Sequence, residues 1–443
     1  MKGLKLSLII FVTAILTLGI GGMAYAFHSG GVAECEGCHS MHSPKAGGSF
    51  LMVGIDQSST CLTCHQGATD TGPSSYHVST APGAGGAAQI PLQRSPGGDF
   101  GWLRKTYTYS TTSSTGVVTN YTEEGQTLGH NIVAADFGYS ADTANTQAPG
   151  GSFPASSLSC VSCHDPHGQY RRMTDGTIVK GGTTGVATAP IIASGSYPFT
   201  ATAPAIPLPE VPAVGTAYGV YRLLGGQGYT RGGAFAGVPA AKAPSTYNRT
   251  EAVTQTRVAY GNATTGGHVA WGTWCATCHT DMHSSGNYVH PVDETLGSEI
   301  ANNYKYYKKS GDMSGDGING FLSLVPFVEN TGDYSTLASH AVNNDSVLTG
   351  PATNDGVSCL SCHRAHASGN MHALRFDQGY EFITKNGQYV ATDHPDYGTW
   401  GSRAALQARG RTIADVTAAN YGRPATVFAT YQRVLCNKCH AKD

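Results

Sequence analysis

Charged side chains are scarce in this 443-residue chain. They make up 13% of it, about half the usual quarter. Lys and Arg number 27 against 29 Asp and Glu, so the basic excess that a nucleic-acid binder needs is missing. Apolar residues are also few, at 40% against a usual ~45–50%. Glycine, at 58 residues, has about twice its usual share. A chain this long ordinarily builds two or three domains with their own cores, but the aliphatic runs for such cores are absent. Also absent is any cysteine outside one pattern. All 12 cysteines fall in CxxCH strings. None is left for a disulfide, a zinc cluster or a catalytic thiol, and no CxxCK occurs.

The six strings are Cys35-Cys38-His39, Cys61-Cys64-His65, Cys160-Cys163-His164, Cys275-Cys278-His279, Cys359-Cys362-His363 and Cys436-Cys439-His440. Chance supplies about 0.01 such strings at this chain's Cys and His frequencies, and the pattern reads as c-type haem attachment. Two cysteines three apart lie about one helical turn from each other. Their sulfurs reach the two vinyl groups on one haem edge, and the next residue turns its imidazole under the ring toward iron. A thioredoxin-type pair needs neither that histidine nor six copies. Six c-type haems are therefore expected, with His39, His65, His164, His279, His363 and His440 as proximal ligands. The expected fold is an irregular, loop-rich multihaem cytochrome c with few short helices and little strand. Six packed haems form its core, at only about 70 residues each.

Lys2 and Lys5 precede an apolar run from Leu6 to Ile20, followed by Ala24-Tyr25-Ala26. This reads as a signal peptide over residues 1–26, with 27–443 a single exported hexahaem domain. The run is short and carries Ser7, Thr13 and Thr17, which argues against a retained anchor. Without it the chain holds 25 basic and 29 acidic residues. Two propionates per haem and one positive charge per ferric centre take that net −4 to about −10 oxidised and −16 reduced.

Each iron needs a second axial group if it is to be closed. Twelve histidines remain after the proximal six, so the supply suffices. Three motifs extend to CxxCHxxH, giving His42, His167 and His366, and a fourth to CxxCHxxxH, giving His283. A histidine that close cannot reach the far face of its own haem and serves a neighbouring one. His130, His340, His77 and His290 complete eight distal candidates for six positions. His28, His268, His372 and His394 have weaker claims. An iron with two imidazoles has no open face for substrate and lacks the Met ligand that raises potential. Such a site passes electrons.

First cysteines of successive motifs are 26, 99, 115, 84 and 77 residues apart, so no single module repeats. Ala81–Pro91, Thr183–Pro212 and Gly232–Pro244 read as irregular loops, Lys105–Tyr109 with Val117–Thr122 as a small hairpin, and Ser298–Ser310 and Ile413–Tyr421 as short helices. Asp312, Ser314 and Asp316 begin like a calcium loop, but its twelfth position is Ser323 rather than Glu, so a plain turn is expected.

The segments FHSGGVAECEGCHSMH, DTGPSSYH, PGGDFGW, GHNIVA, CHDPHGQYRRM, APSTYNRTEA, TQTRVAYG, YKKSGD, CLSCHRAHASG and LCNKCHAKD resemble those of the OmcS-type outer-surface hexahaem cytochromes of metal-reducing bacteria. The resemblance spans nearly the whole chain after residue 26 and all six motifs. It implies bis-His haems in alternating parallel and T-shaped pairs, and polymerisation into extracellular filaments. It also implies that His42 binds the haem of Cys359/Cys362/His363 in the next protomer, a head-to-tail contact that does not close. The family lacks histidines where this chain has His268, His372 and His394. The expected function is extracellular electron transfer by a protein that is not an enzyme. Its partners would be further copies of itself, periplasmic or outer-membrane cytochrome donors, and extracellular acceptors such as metal oxides or partner cells, with no nucleic acid. Two alternatives stand beside it: a soluble monomeric carrier, and a multihaem reductase with one open haem.

Overall fold

The computed structural model describes residues 37–68, 75–84, 89–166, 170–172, 178–180, 224–226, 229, 231–237, 239–244, 251–262, 269–282 and 291–441. The expected signal segment, Cys35, His28, His167, His268, His283, His290 and Thr183–Pro212 lie outside them. Among the described residues no helix is long and apolar enough to cross a membrane.

Nine α-helices punctuate the described chain. They are α1 Gln57–His65, α2 Cys160–Cys163, α3 Trp271–Cys275, α4 Gly297–Tyr306, α5 Tyr334–His340, α6 Cys359–Cys362, α7 Ala404–Ala408, α8 Ile413–Ala419 and α9 Asn437–His440. The longest is the ten-residue α4. Isolated helices this short are marginal in water, so side-chain caps and packing hold them. Asp56 caps α1 by accepting from Ser59 N at 2.6 Å. Capping boxes close α2 (Ser159, Ser162), α6 (Ser358, Ser361) and α8 (Thr412, Asp415). The expected helices are present but end early. α4 stops where Tyr307 turns extended, and α8 stops before Tyr421, whose φ is 59°.

Strand pairs are equally brief. β1 Gln66–Gly67 pairs with β2 Ser79–Thr80 in parallel, β3 Tyr107–Thr112 with β4 Val118–Glu123 as an antiparallel hairpin, and β5 Tyr170–Arg172 with β6 Ile178–Lys180. β7 Ala240–Lys242, β8 Ala259–Gly261 and β9 Val328–Glu329 form a three-stranded sheet, and β10 Thr384–Lys385 pairs with β11 Gln388–Tyr389. The hairpin lies one to three residues beyond its expected bounds, with Tyr109 stacked on Tyr121 at 5.0 Å. Gly232–Pro244, expected to be irregular throughout, contains edge strand β7. Its small Ala240 and Ala241 allow the close antiparallel approach to β8. The calcium-like loop closes on itself: Asp312 accepts from Ser314 N, and Asp316 from Ile318 N and Asn319 N. This is the expected turn.

Apolar side chains gather in several small clusters, the largest around Tyr304, Leu324, Phe327, Phe376 and Leu435. Between them lies charge. Glu251 is buried among three buried arginines: Arg364 Nη1 at 3.0 Å, Arg423 Nη2 at 3.5 Å and Arg375 Nη1 at 3.7 Å. Arg364 also stacks over Tyr421 at 3.7 Å. Burial alone would push the Glu251 carboxyl up, but Arg364, Arg423 and Arg375 outweigh it and hold it below the ordinary carboxylate value. A depressed carboxyl contributes stability above its unfolded pKa, and that stability is lost as pH falls through the folded value. Glu251→Gln leaves three buried cations facing a neutral amide. It should cost about 3–5 kcal/mol, read as a lower denaturant midpoint. An unchanged midpoint would show that the arginines are satisfied by backbone carbonyls alone.

Candidate haem-binding sites

Each described CxxCH motif is presented by a turn of helix or a tight turn. In α2 and α6 the sequence Ser-Cys-x-Ser-Cys-His makes its own frame. The first serine and the serine between the cysteines form the capping box, and the histidine N–H seals the turn on the first cysteine's carbonyl (2.9 Å for His164, 2.8 Å for His363). His279 N and His440 N bond Cys275 O and Cys436 O likewise, at 3.1 and 3.0 Å. The two sulfurs and the imidazole therefore leave one turn together.

None of the eleven described cysteines is in a disulfide. Burial pushes Cys163 up to about 12, Cys362 to about 11 and Cys439 to about 12. Among the described residues no group of three or more His, Cys, Asp or Glu side chains could hold a bare metal ion.

The motifs follow one another in space as they do in sequence. Cys61 hydrogen-bonds Cys160, and Cys275 hydrogen-bonds Cys359. These contacts join α1 to α2 and α3 to α6, which pack together. Between these, Cys38 lies within electrostatic reach of Cys61, Cys163 of Cys278, and Cys362 of Cys436 and Cys439.

Several imidazoles are fixed at Nδ1, which leaves Nε2 for another partner. Nδ1 donates to a backbone carbonyl in His39 (Phe50 O, 2.9 Å), His65 (Tyr76 O, 2.9 Å), His279 (Pro149 O, 2.8 Å) and His363 (His372 O, 2.7 Å). Among the distal candidates, His130 donates to Ala365 O at 2.6 Å and His340 to Glu329 Oε2 at 2.7 Å. His77 and His366 pack on glycines. A Cβ on Gly67 would meet His77 Nδ1 at 2.0 Å, and one on Gly97 would meet the His366 ring at 2.9 Å. Among the described residues His164 Nδ1 is buried and has no hydrogen-bond partner.

Two proximal histidines face distal candidates. His279 and His130 have ring centroids 6.0 Å apart, and His164 and His366 6.3 Å. A metal–imidazole bond of about 2 Å puts the centroids of two trans imidazoles about 6 Å apart. The spacing of each pair would suit two histidines holding one haem iron. Burial, then the neighbouring His65, lowers His164 to about 4; burial, then His164, lowers His366 to about 3. Both are neutral at pH 7, the form a metal ligand needs.

The other histidines fall elsewhere. His42 is exposed, beside Met41 at 81% exposure. His394 is buried with both nitrogens used: Nε2 donates to Lys385 O, and Nδ1 accepts from Asp396 N, each at 2.9 Å. His372 is exposed and contributes its carbonyl to His363. The carbonyls that hold the rings, and Glu329, carry no sequence signal, because they lie up to 235 residues from the histidine they fix.

No family model matches the chain. It is 49% identical to the C-type cytochrome OmcS of Geobacter sulfurreducens, over 100% of both chains. Two solved filament structures resemble it. The Outer Membrane Cytochrome S Filament from Geobacter sulfurreducens is 47% identical with a TM-score of 0.72, and the OmcS nanowires from the same organism are 45% identical with a TM-score of 0.68. Each match covers 94% of this chain and 100% of the other. Identity of 49% over the full length of both chains places this chain in the OmcS-type family of c-type cytochromes.

Proposed function

We propose that the chain is exported, loses residues 1–26 and carries six c-type haems closed on both faces by histidine. It would pass electrons along them and polymerise head-to-tail into a filament at the cell surface. The observation that carries this reading is the continuous order of the CxxCH turns, each in contact or electrostatic reach of the next. When bound, a bis-imidazole haem supplies an iron that changes charge without an open coordination position. The protein's own part is to hold the rings. Cysteine pairs fix the haem edges, carbonyls at Nδ1 set the orientation of the histidines, and the Cys61–Cys160 and Cys275–Cys359 contacts bring neighbouring haem edges close. With both faces filled, the chain is a conduit rather than an enzyme.

We assign His130 to the iron of His279 and His366 to that of His164 on their spacing. His42, His77, His167, His283, His290 and His340 compete for the other four. The similar filaments support polymerisation. So does the exposure of His42, Met41 (81%) and Phe50 (64%), an apolar surface beside an unburied imidazole. His42 would close the haem of Cys359/Cys362 in the next protomer. Donors would be periplasmic or outer-membrane cytochromes, and acceptors metal oxides or partner cells.

His130→Ala and His366→Ala should each convert one haem in six to high-spin iron, counted by electron paramagnetic resonance of the oxidised holoprotein. Six low-spin haems in either variant would refute that pairing. His42→Ala should leave a monomer with its haem complement intact but abolish or sharply shorten filaments under the electron microscope. Filaments of normal length would refute the inter-protomer bond and leave a soluble carrier as the better reading of that residue.

A further inference from the structure

The pinned imidazoles differ in what pins them. His39, His65, His130, His279 and His363 each meet a neutral backbone carbonyl. His340, the last residue of α5, meets a carboxylate: its Nδ1 lies 2.7 Å from Glu329 Oε2. Glu329 is buried on β9 and cannot swing away, because its other oxygen accepts from Arg257 Nη2 at 2.9 Å. Arg257 is buried in turn. Its Nη1 donates to Thr349 O at 2.8 Å, and its guanidinium lies 5.0 Å from the ring centroids of both Phe321 and Phe327. The triad Arg257–Glu329–His340 is thus fixed from both ends and lines one wall of a cavity of about 310 Å³.

A carboxylate draws the Nδ1 proton toward itself more strongly than a carbonyl does. The ring then carries more negative charge, and Nε2 becomes a stronger donor to a metal. A stronger donor favours the higher oxidation state of iron. We propose that Glu329 is a positioning residue that lowers the potential of the haem closed by His340 below the value a carbonyl-held histidine would give. This sets that haem apart from those whose histidines are held by a backbone carbonyl. The inference rests on His340 being an axial ligand, as the preceding reading allows.

The test is a spectroelectrochemical titration of the holoprotein carrying Glu329→Gln. About one-sixth of the haem absorbance change should move to more positive potential, with the rest superimposable on wild type and all iron still low-spin. An unchanged curve would overturn the proposal. Glu329→Asp keeps the charge but withdraws the oxygen by one methylene. It should shift the same fraction in the same direction by less, and it serves if the glutamine variant does not fold; no shift in it would equally count against the proposal. His340→Ala separates the two layers. One high-spin haem in six upholds His340 as a ligand whatever Glu329 does, whereas six low-spin haems remove the premise itself.

Discussion

The rest of the structure depends on a turn that sends two sulfurs and one imidazole out of the backbone together. Where α2 and α6 form it, a serine capping box and one backbone hydrogen bond are enough to hold it. The frame is therefore local and cheap in residues, and it needs no helix long enough to be stable alone. What it does need is something large to close around. The small, scattered apolar clusters and the brief two-residue strands suit a chain wrapped around rigid groups better than one packed on itself.

The remaining order comes from long-range polar contacts. Ala365 O holds His130 across 235 residues, Glu123 takes Arg411 across 288, and Glu251 takes Arg364 across 113. In a chain with so little aliphatic surface, such bonds fix which loop lies beside which turn. The two buried ion pairs are points of vulnerability, since a buried charge that loses its partner is costly. The first of the three also orients an imidazole.

The motifs, the hairpin and the helices α4 and α8 were legible in the sequence because their signals are local: a string, an alternation, a cap. The loop-rich fold was legible from what the composition lacks. The pairing of His130 with His279 and of His164 with His366 was not, because it joins segments 149 and 202 residues apart in sequence. His394 looked like any spare histidine until both its nitrogens were seen to be engaged. Glu329 and Arg257 gave no sign, since nothing in Val328-Glu329 or Thr256-Arg257 marks a partner for His340. The edge strand in Gly232–Pro244 was hidden by a Gly/Pro/Ala composition that reads as loop, and its partner lies in a distant segment.

The central claim is that every cysteine pair carries a haem and every iron is closed by two imidazoles. Intact mass of the purified secreted protein, taken with its reduced spectrum under carbon monoxide, tests both halves at once. The account predicts a chain beginning at Phe27 with the added mass of six haems and a spectrum that carbon monoxide leaves unchanged. A smaller haem number, or a carbon monoxide adduct in the native protein, would contradict it.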